Sequence, residues 1–404
     1  MSKVPHTKDS FRRMAWLRLR KNKGAMAGLI LILAAILAGL FAYYIAPDHT
    51  PDANEMILEV SGKRPGFHIR LLAVHRQVPT KPVSFWERLW SGAPSAFTYV
   101  PVTGYRLRGD SIWFMHYVDD ETSLPDSMDL LHVVYPLPPG NRVLAIRGDT
   151  VLFRKAENGT GKLSMQQLRH QVQEKHLTER TYVFGSDKYG RDILSRIIVG
   201  VRVSLSVGLV AVVISLFIGV LLGSLAGYFR GRVDDGIMWL INVVWSVPSL
   251  LLVFALTIAI GKGFWQIFIA VGLTLWVSVA RIIRGQVMAV REMQYIEAAR
   301  ALGYGHLRII FRHILPNILG PVLVIAANNF AAAIIIEAGL SFLGIGVQPP
   351  TPSWGLMLKE NYGFIITHNP FLAIVPGLAI MLMVLAFNLL GNGLRDAMDV
   401  KGKA

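Results

Sequence analysis

Apolar residues gather along this chain in runs of membrane-spanning length. The first, GAMAGLILILAAILAGLFAYYIA from Gly24 to Ala46, is long enough at about 1.5 Å per residue to cross a hydrocarbon core of about 30 Å. Further runs lie at Ile198 to Phe229, Gly236 to Ile260, Phe264 to Ile283, Ile318 to Ile336 and Phe371 to Leu390, which predicts six transmembrane helices. A different pattern fills the gap after the first run. FHIRLLAVH, YRLRGDSIWFMHYV and RVLAIRGDTVLFRK alternate with period two and read as strands, and Gly148-Asp149 reads as a hairpin turn. LSMQQLRHQVQEKHL repeats apolar residues at Leu163, Leu168, Val172 and Leu177, a short helix capped by Ser164 or by the Gly-rich turn before it. A β-rich domain is therefore expected over 47–183, inserted between the first two spans.

One connection is too long and too patterned for a simple link: REMQYIEAARALGYGHLRIIFRHILPN, Arg291 to Asn317. Its EAARAL block favours helix, is stopped by Gly303 and Gly305, and sets Glu297 one turn from Arg300. Beyond the glycines, Leu307, Ile310, Phe311 and Ile314 recur at i, i+3, i+4 and i+7, with Arg308 and Arg312 on another face. Pro316 ends this second piece. The pattern predicts a helix, a glycine bend and a second helix across the cytoplasmic face. Such a knob suits rigid-body docking, although a helix that merely anchors the spans has the same pattern.

Composition agrees with a membrane protein: of 404 residues, 53% are hydrophobic and 17% charged. The formal charge of +15 is accounted for by cations flanking the spans and meeting anionic lipid, so nucleic acid is not needed to explain it. The leader, 1–23, contains SFRRMAWLRLRKNK, whose Phe11, Met14, Trp16, Leu17 and Leu19 among cations suit an interfacial helix. The first span, 24–46, reads as an uncleaved signal-anchor with a cytoplasmic N-terminus. RGRVDD and 291–317 then fall inside, GKGF and LSFLGIGVQPPTPSWGLMLKENYG outside, and the tail, 395–404, returns to the cytoplasm. The charged 47–183 region lies outside in this topology, since long domains translocate largely regardless of charge. With no cysteine, the chain has no disulfide, thiolate metal site or cysteine nucleophile.

Two stretches imitate phosphate-binding loops and neither is one. NGTGKLS has Ala156 where the first glycine belongs, and GSDKYGRDILS has Arg191-Asp192 in place of Lys followed by Ser or Thr. No ATP, magnesium or other cofactor site is therefore expected in this chain. The sequon Asn158-Gly159-Thr160 reads as a plain turn. His68, His75, His116, His132, His170 and His176 lack metal-ligand spacing, and no nucleophile elbow or zinc-peptidase helix is present, so neither a metal site nor an enzyme is expected.

Three stretches together resemble the permease subunits of ATP-binding-cassette importers. The family hallmark appears as Glu297-Ala298-Ala299, Gly303 and Leu315-Pro316, and the variant RHILPN resembles the dipeptide, oligopeptide and nickel branch. GSDKYGRDILSRIIVGVRVSL and EAGLSFLGIGVQPPTPSWGLML resemble the C-type partner of its permease pair. The likeness is close after Phe184, loose over the leader and first span, and absent over most of the insert. It implies an all-α polytopic fold of the type I importer kind, the permease domain over 184–394, in the bacterial cytoplasmic (inner) membrane. It further implies a second homologous permease, two ABC ATPases that bind the ATP and magnesium, an extracytoplasmic solute-binding protein and a peptide cargo. Glu297, Ala298, Ala299, Gly303, Leu315 and Pro316 would couple to an ATPase. Pro248 is a candidate hinge, Asn328 and Asn329 candidate pathway lining, and Glu337 is expected to face protein or the pathway. Nickel or a metal chelate is the alternative cargo. A mechanotransmission or exporter subunit is the alternative of another class, disfavoured because such proteins have four spans and no Glu-Ala-Ala segment.

Overall fold

Apolar run length and turn chemistry account for most of the element order in the computed structural model, which describes residues 7–77, 82–137, 143–147, 150–155, 159–261, 263–366 and 369–398. The leader helix α1 (Thr7–Lys21) precedes α2 (Lys23–Leu40) and the short α3 (Ala42–Ile45). Strand β1 (Phe67–His75), helix α4 (Phe85–Ser91), strands β2 (Phe97–Arg108), β3 (Ser111–Tyr117) and β4 (Ser123–Asp129), and helix α5 (Leu130–Val134) follow. Then come β5 (Val143–Arg147), β6 (Thr150–Lys155), β7 (Gly159–Ser164), α6 (Met165–Gln171) and β8 (Leu177–Tyr182). The rest is helical: α7 (Ile193–Phe229), α8 (Gly231–Trp245), α9 (Ser249–Ile260), α10 (Phe264–Arg291), α11 (Gln294–Ala301), α12 (His306–Ile309), α13 (Leu319–Phe342), α14 (Trp354–Asn361) and α15 (Phe371–Met398). The chain divides into two compact units, one made of Met1–Leu40, Gly200–Lys359 and Pro376–Ala404, the other of Phe41–Val199 and Glu360–Val375.

In the first unit, α2, α7, α10, α13 and α15 are each long and apolar enough to cross a membrane. The expected continuous span Gly236 to Ile260 is a different object: α8 and α9 meet at a 90° bend. Pro248 has no N–H to continue the ladder, and its ring disfavours helix at Val247. The break is closed locally, with Ser246 N–H donating to Asn242 O at 3.0 Å and the Ser246 hydroxyl to Val243 O at 2.7 Å. Helices also outrun the apolar patterns, α10 by a further eight residues to Arg291, because backbone bonding continues where hydrophobicity stops.

A close helix packing in this unit is built on missing side chains. Gly219, Gly223 and Gly227 form one stripe of α7, and a Cβ at each would lie 2.8, 2.5 and 2.6 Å from the carbonyl oxygens of Trp276, Ala280 and Arg284 on α10. Four-residue spacing thus lets two backbones touch, as small residues do between membrane helices. Farther along, Val203, Val207 and Ala211 pack with Val253, Phe268, Val271, Ala333 and Leu340.

The second unit contains two antiparallel sheets, of order β4-β3-β2-β1-β8 and β5-β6-β7. The period-two stretches fall on β1, on β2 to β3 and on β5 to β6, whereas the expected Gly148-Asp149 turn lies outside the described residues. Leu72, Val102, Ile112, Phe114, Leu130 and Phe153 form its core with Leu168 and Val172 of the following segment. Ser164 caps α6 in a reciprocal box, its hydroxyl accepting from Gln167 N–H at 3.1 Å while its own N–H donates to Gln167 Oε1 at 3.0 Å. The helix is shorter than its pattern: Val172–His176 is a π turn and Leu177 already belongs to β8. There, the extended backbone bonds β1 through the register Leu72 to Leu177. His176 is buried, and its Nδ1 donates to Ala73 O at 2.6 Å.

A buried ionic cluster also belongs to this unit. Arg191 donates from Nε to Asp187 at 2.6 Å, from Nη1 to Asn54 at 3.2 Å and from Nη2 to Glu360 at 2.8 Å. Arg196 reaches the same Glu360 oxygen at 3.4 Å, while its Nε and Nη1 have no hydrogen-bond partner. All four charged groups are nearly or fully buried, so each depends on the others for compensation.

Candidate functional site

The segment after α10 folds as a bent, two-piece knob whose back is apolar. On α11, Ile296 and Ala299 are buried one turn apart, and Glu297, Ala298, Arg300 and Ala301 are exposed. The helix stops in a Schellman arrangement: Gly303 N–H donates to Arg300 O at 2.9 Å and Tyr304 N–H to Ala299 O at 3.1 Å. Gly303 takes φ +76°, and a Cβ there would meet nothing within 4 Å. The position therefore demands the glycine backbone yet leaves its outer side open. Leu302 beside it is 71% exposed.

Beyond the bend, the second piece departs from the predicted helix. Only His306–Ile309 is α-helical, Ile310–Ile314 is a π turn, and Leu315–Asn317 is a 3₁₀ turn containing Pro316. The wider turn changes which residues face inward. Ile309, Ile310 and Ile314 are buried, Ile309 joining Ile314 at five-residue spacing, whereas the expected inner residues Leu307 and Phe311 are exposed. Leu315 is half-buried, Pro316 exposed, and the Asn317 amide donates to His313 O at 2.6 Å. Arg308 and Arg312 are exposed as expected.

Buried residues join the knob to the long helices. Ile296, Ala299, Ile309, Ile310 and Ile314 pack with Tyr228 at the end of α7, with Val279, Ile283 and Val287 of α10, and with Ile325 of α13. The Glu297 pairing with Arg300 does not form; the Arg300 guanidinium lies 5.6 Å from the Tyr228 ring centre instead. Tyr228 is the residue that sequence reasoning missed. Its hydroxyl is 2.9 Å from His306 Nδ1, across the glycine bend from α11, and its ring also meets the Arg291 guanidinium at 5.8 Å. A tyrosine ending an apolar run reads as an ordinary interfacial anchor, so only the fold exposes this link. Arg230 donates to Glu292 at 2.6 Å and flanks the same end of the unit.

The other candidates are dispersed. Pro248 is exposed at the α8 to α9 bend. Asn329 is buried, its amide donating to Ser215 Oγ at 3.3 Å and Leu275 O at 3.4 Å, which ties α13 to α7 and α10. Asn328 is half-buried beside Gly391. Glu337 is fully buried, with Oε1 accepting from Ser341 at 2.7 Å and Oε2 unpartnered. The Ser341 oxygen in turn accepts from Val347 N–H at 3.0 Å, so this carboxyl organises the start of the following loop. Among the described residues, no three His, Asp or Glu side chains are grouped as a metal site would need.

Comparison with known proteins gives the family. Residues 219–401 match the binding-protein-dependent transport system inner membrane component, and 10–58 match the N-terminal TM domain of oligopeptide transport permease C. The glutathione transport system permease protein GsiD of Pectobacterium atrosepticum is 44% identical over 220 residues, 54% of this chain and 73% of that protein. The dipeptide transport system permease protein DppC of Alkalihalophilus pseudofirmus is 42% identical over 221 residues, covering 55% and 72%, and the Bacillus subtilis oligopeptide permease OppC is 41% identical over 218, covering 54% and 71%. The methionine transporter MetNI in inward-facing form aligns with 51% of this chain and 97% of its own at 19% identity and a TM-score of 0.42. With its apolar helices and the extent of these matches, the chain belongs to the binding-protein-dependent transport inner-membrane components, as a C-type permease of the ABC transporters.

Proposed function

We propose that this chain is half of the translocation pathway of an ATP-driven importer of di- or oligopeptides, and that the knob at Gly303 receives the motion of an ATPase subunit. The carrying observation is the knob itself: an open glycine bend outside, and a back packed on Tyr228 near the end of α7 and on α10. Glu297 to Ala299 and Leu315-Pro316 form its two arms. Displacing the bend would load Ile296, Ile309 and Ile314, and through them α7, α10 and α13, because a close-packed apolar contact transmits displacement. The names of the curated relatives, for glutathione, dipeptides and oligopeptides, support the cargo class.

In this reading the partners are a second permease, two ATPases and an extracytoplasmic solute-binding protein. ATP and magnesium are held by the ATPases. The termini and the knob lie in the cytoplasm, and the β-sheet unit lies outside. Coupling is reciprocal, so a loaded binding protein outside favours ATPase closure inside.

Gly303→Asp and Gly303→Ala separate docking from folding. Each pays roughly 1–2 kcal/mol for a left-handed non-glycine residue, but only aspartate adds charge to the bend. The expected result is membrane insertion of both, with ATPase capture and peptide uptake lost much more in Gly303→Asp. Uptake and capture equal to Gly303→Ala would overturn the docking role. Competition between labelled dipeptide and nickel in the reconstituted complex tests the cargo.

A further inference from the structure

Two arginines stand one turn apart on α10, and α8 treats them differently. Arg284 forks onto Asp234, from Nε to Oδ1 at 2.5 Å and from Nη2 to Oδ2 at 2.6 Å, so its charge is cancelled in place. Arg281 meets no carboxylate: among the described residues it has no ion pair. Its Nη2 donates to Asn242 Oδ1 at 3.2 Å, its guanidinium lies 3.4 Å from the Trp245 ring centre, and its buried Nε has no hydrogen-bond partner. An amide and an indole thus hold the group in position without neutralising it. Such a charge on an apolar helix is costly until an anion meets it.

Reaching for water at the helix end does not account for Arg281. Asp234 meets Arg284, and Ile241 packs with Trp276, Val277 and Ala280, so α8 and α10 run in opposite directions where they touch. Asn242 is eight residues past Asp234, about 12 Å along α8, while Arg281 and Arg284 are rooted only about 4.5 Å apart along α10. The Arg281 guanidinium therefore leans away from Arg284 and from the charged end at Arg291, the reverse of snorkelling. Its surroundings are also unlike a lipid-covered face. On α7 the exposed stripe is Leu209, Val213, Phe217 and Leu221, and on α15 it includes Leu378, Met381 and Leu385, all apolar. On α10, by contrast, the half-buried Arg281 shares its stripe with exposed Ser278 and Gly285, and α8 adds exposed Asn242 and Ser246. Polar groups at membrane depth face protein or a water-filled path.

We propose that Arg281, held by Asn242 and Trp245, is a binding station for the carboxylate of the peptide cargo on the wall of the translocation path. A carboxylate accepts charge-assisted bonds from a guanidinium and supplies to Arg281 what Asp234 supplies to Arg284. Every linear peptide with a free C-terminus brings one. Gly285, one turn on, leaves space for it, since a Cβ there would meet nothing within 4 Å. The station selects among cargoes by charge, and it rests on the reading of this chain as half of a peptide pathway.

The absence of cysteine makes the test direct. Gly285→Cys is made in the full chain, alone and with Arg281→Gln, and the complex with its second permease and ATPases is placed in nanodiscs, where cargo reaches the path without a binding protein. Modification of this chain by an anionic and by a cationic methanethiosulfonate is followed by mass, and Leu221→Cys marks the lipid side. The expected result is an anionic-to-cationic rate ratio at 285 severalfold higher with Arg281 than with Arg281→Gln, and no reaction at 221. Excess alanyl-phenylalanine should slow the reaction at 285 severalfold and its C-terminal amide should not, the slowing vanishing in Arg281→Gln. Equal ratios in the two backgrounds, no slowing, or equal slowing by acid and amide overturns the proposal. No reaction at 285 with either reagent means that lipid or protein covers this face, and overturns it equally. Uptake of labelled alanyl-phenylalanine by the unaltered importer is measured alongside: uptake beside a negative result at 285 strikes the station alone, whereas no uptake strikes the peptide reading itself.

Discussion

Tyr228 shows how much a single side chain can carry. It is 3% exposed, fills the apolar back of the Gly303 knob and bonds His306 beyond the bend. Tyr228→Phe keeps the ring and removes the hydroxyl, a loss of roughly 1 kcal/mol. We expect ATP-driven uptake to fall about fivefold with permease level and ATPase capture unchanged; full uptake would show that packing alone carries the motion. His176 is the matching case in the sheet unit. Burial lowers its pKa below the ordinary imidazole range, with the Ala73 carbonyl bond opposing and Lys175 assisting. His75, whose ring centre is 6.4 Å away, is lowered in the same way. For a group depressed in the fold, stability is full above the unfolded value and falls as acid protonates the unfolded chain first. Exchange protection of the β1 and β8 amides in the full chain, each rate taken relative to that of an unstructured amide at the same pH, should therefore fall as pH drops from about 8 to about 5, and His176→Gln should flatten that profile. Wild-type protection that does not fall in acid would contradict the assignment.

Among elements, α7 and α10 pack backbone against backbone. Gly223→Val puts branched carbon against Ala280 O and Ile283 and should destabilise the detergent-purified permease by about 3 kcal/mol, read as a lowered unfolding temperature. Gly236 on α8 meets nothing within 4 Å, so Gly236→Ala should be neutral or stabilising by up to about 1 kcal/mol. Equal effects from both would deny the stripe any role. The glycine spacing was legible in the sequence, in a run of span length, once asked what the glycines touch. The α8 to α9 bend was signalled by Pro248 but not its size, because proline removes one bond and the neighbouring packing sets the angle. The π turn left no local signal: the same isoleucines satisfy either spacing until Tyr228, Val287 and Ile325 select which ones go inward.

For the whole molecule, the proposed orientation rests on charge at the connections, and cysteine labelling tests it. In right-side-out spheroplasts, Glu121→Cys should react with a membrane-impermeant maleimide, and Arg308→Cys only after permeabilisation; the reverse pattern would invert the topology. Membrane character, element order along the apolar runs, and the knob were readable from the chain. The pairing of β1 with β8 and the ionic cluster were not, because their partners are far apart in sequence. That distance has a consequence for synthesis. Glu360 is made 169 residues after Arg191 and 164 after Arg196, roughly 10–30 s later at ribosomal speed. Two arginines that end up fully sheltered must wait that long with Asp187 but without Glu360, so the nascent chain is most exposed to proteolytic quality control before that residue emerges.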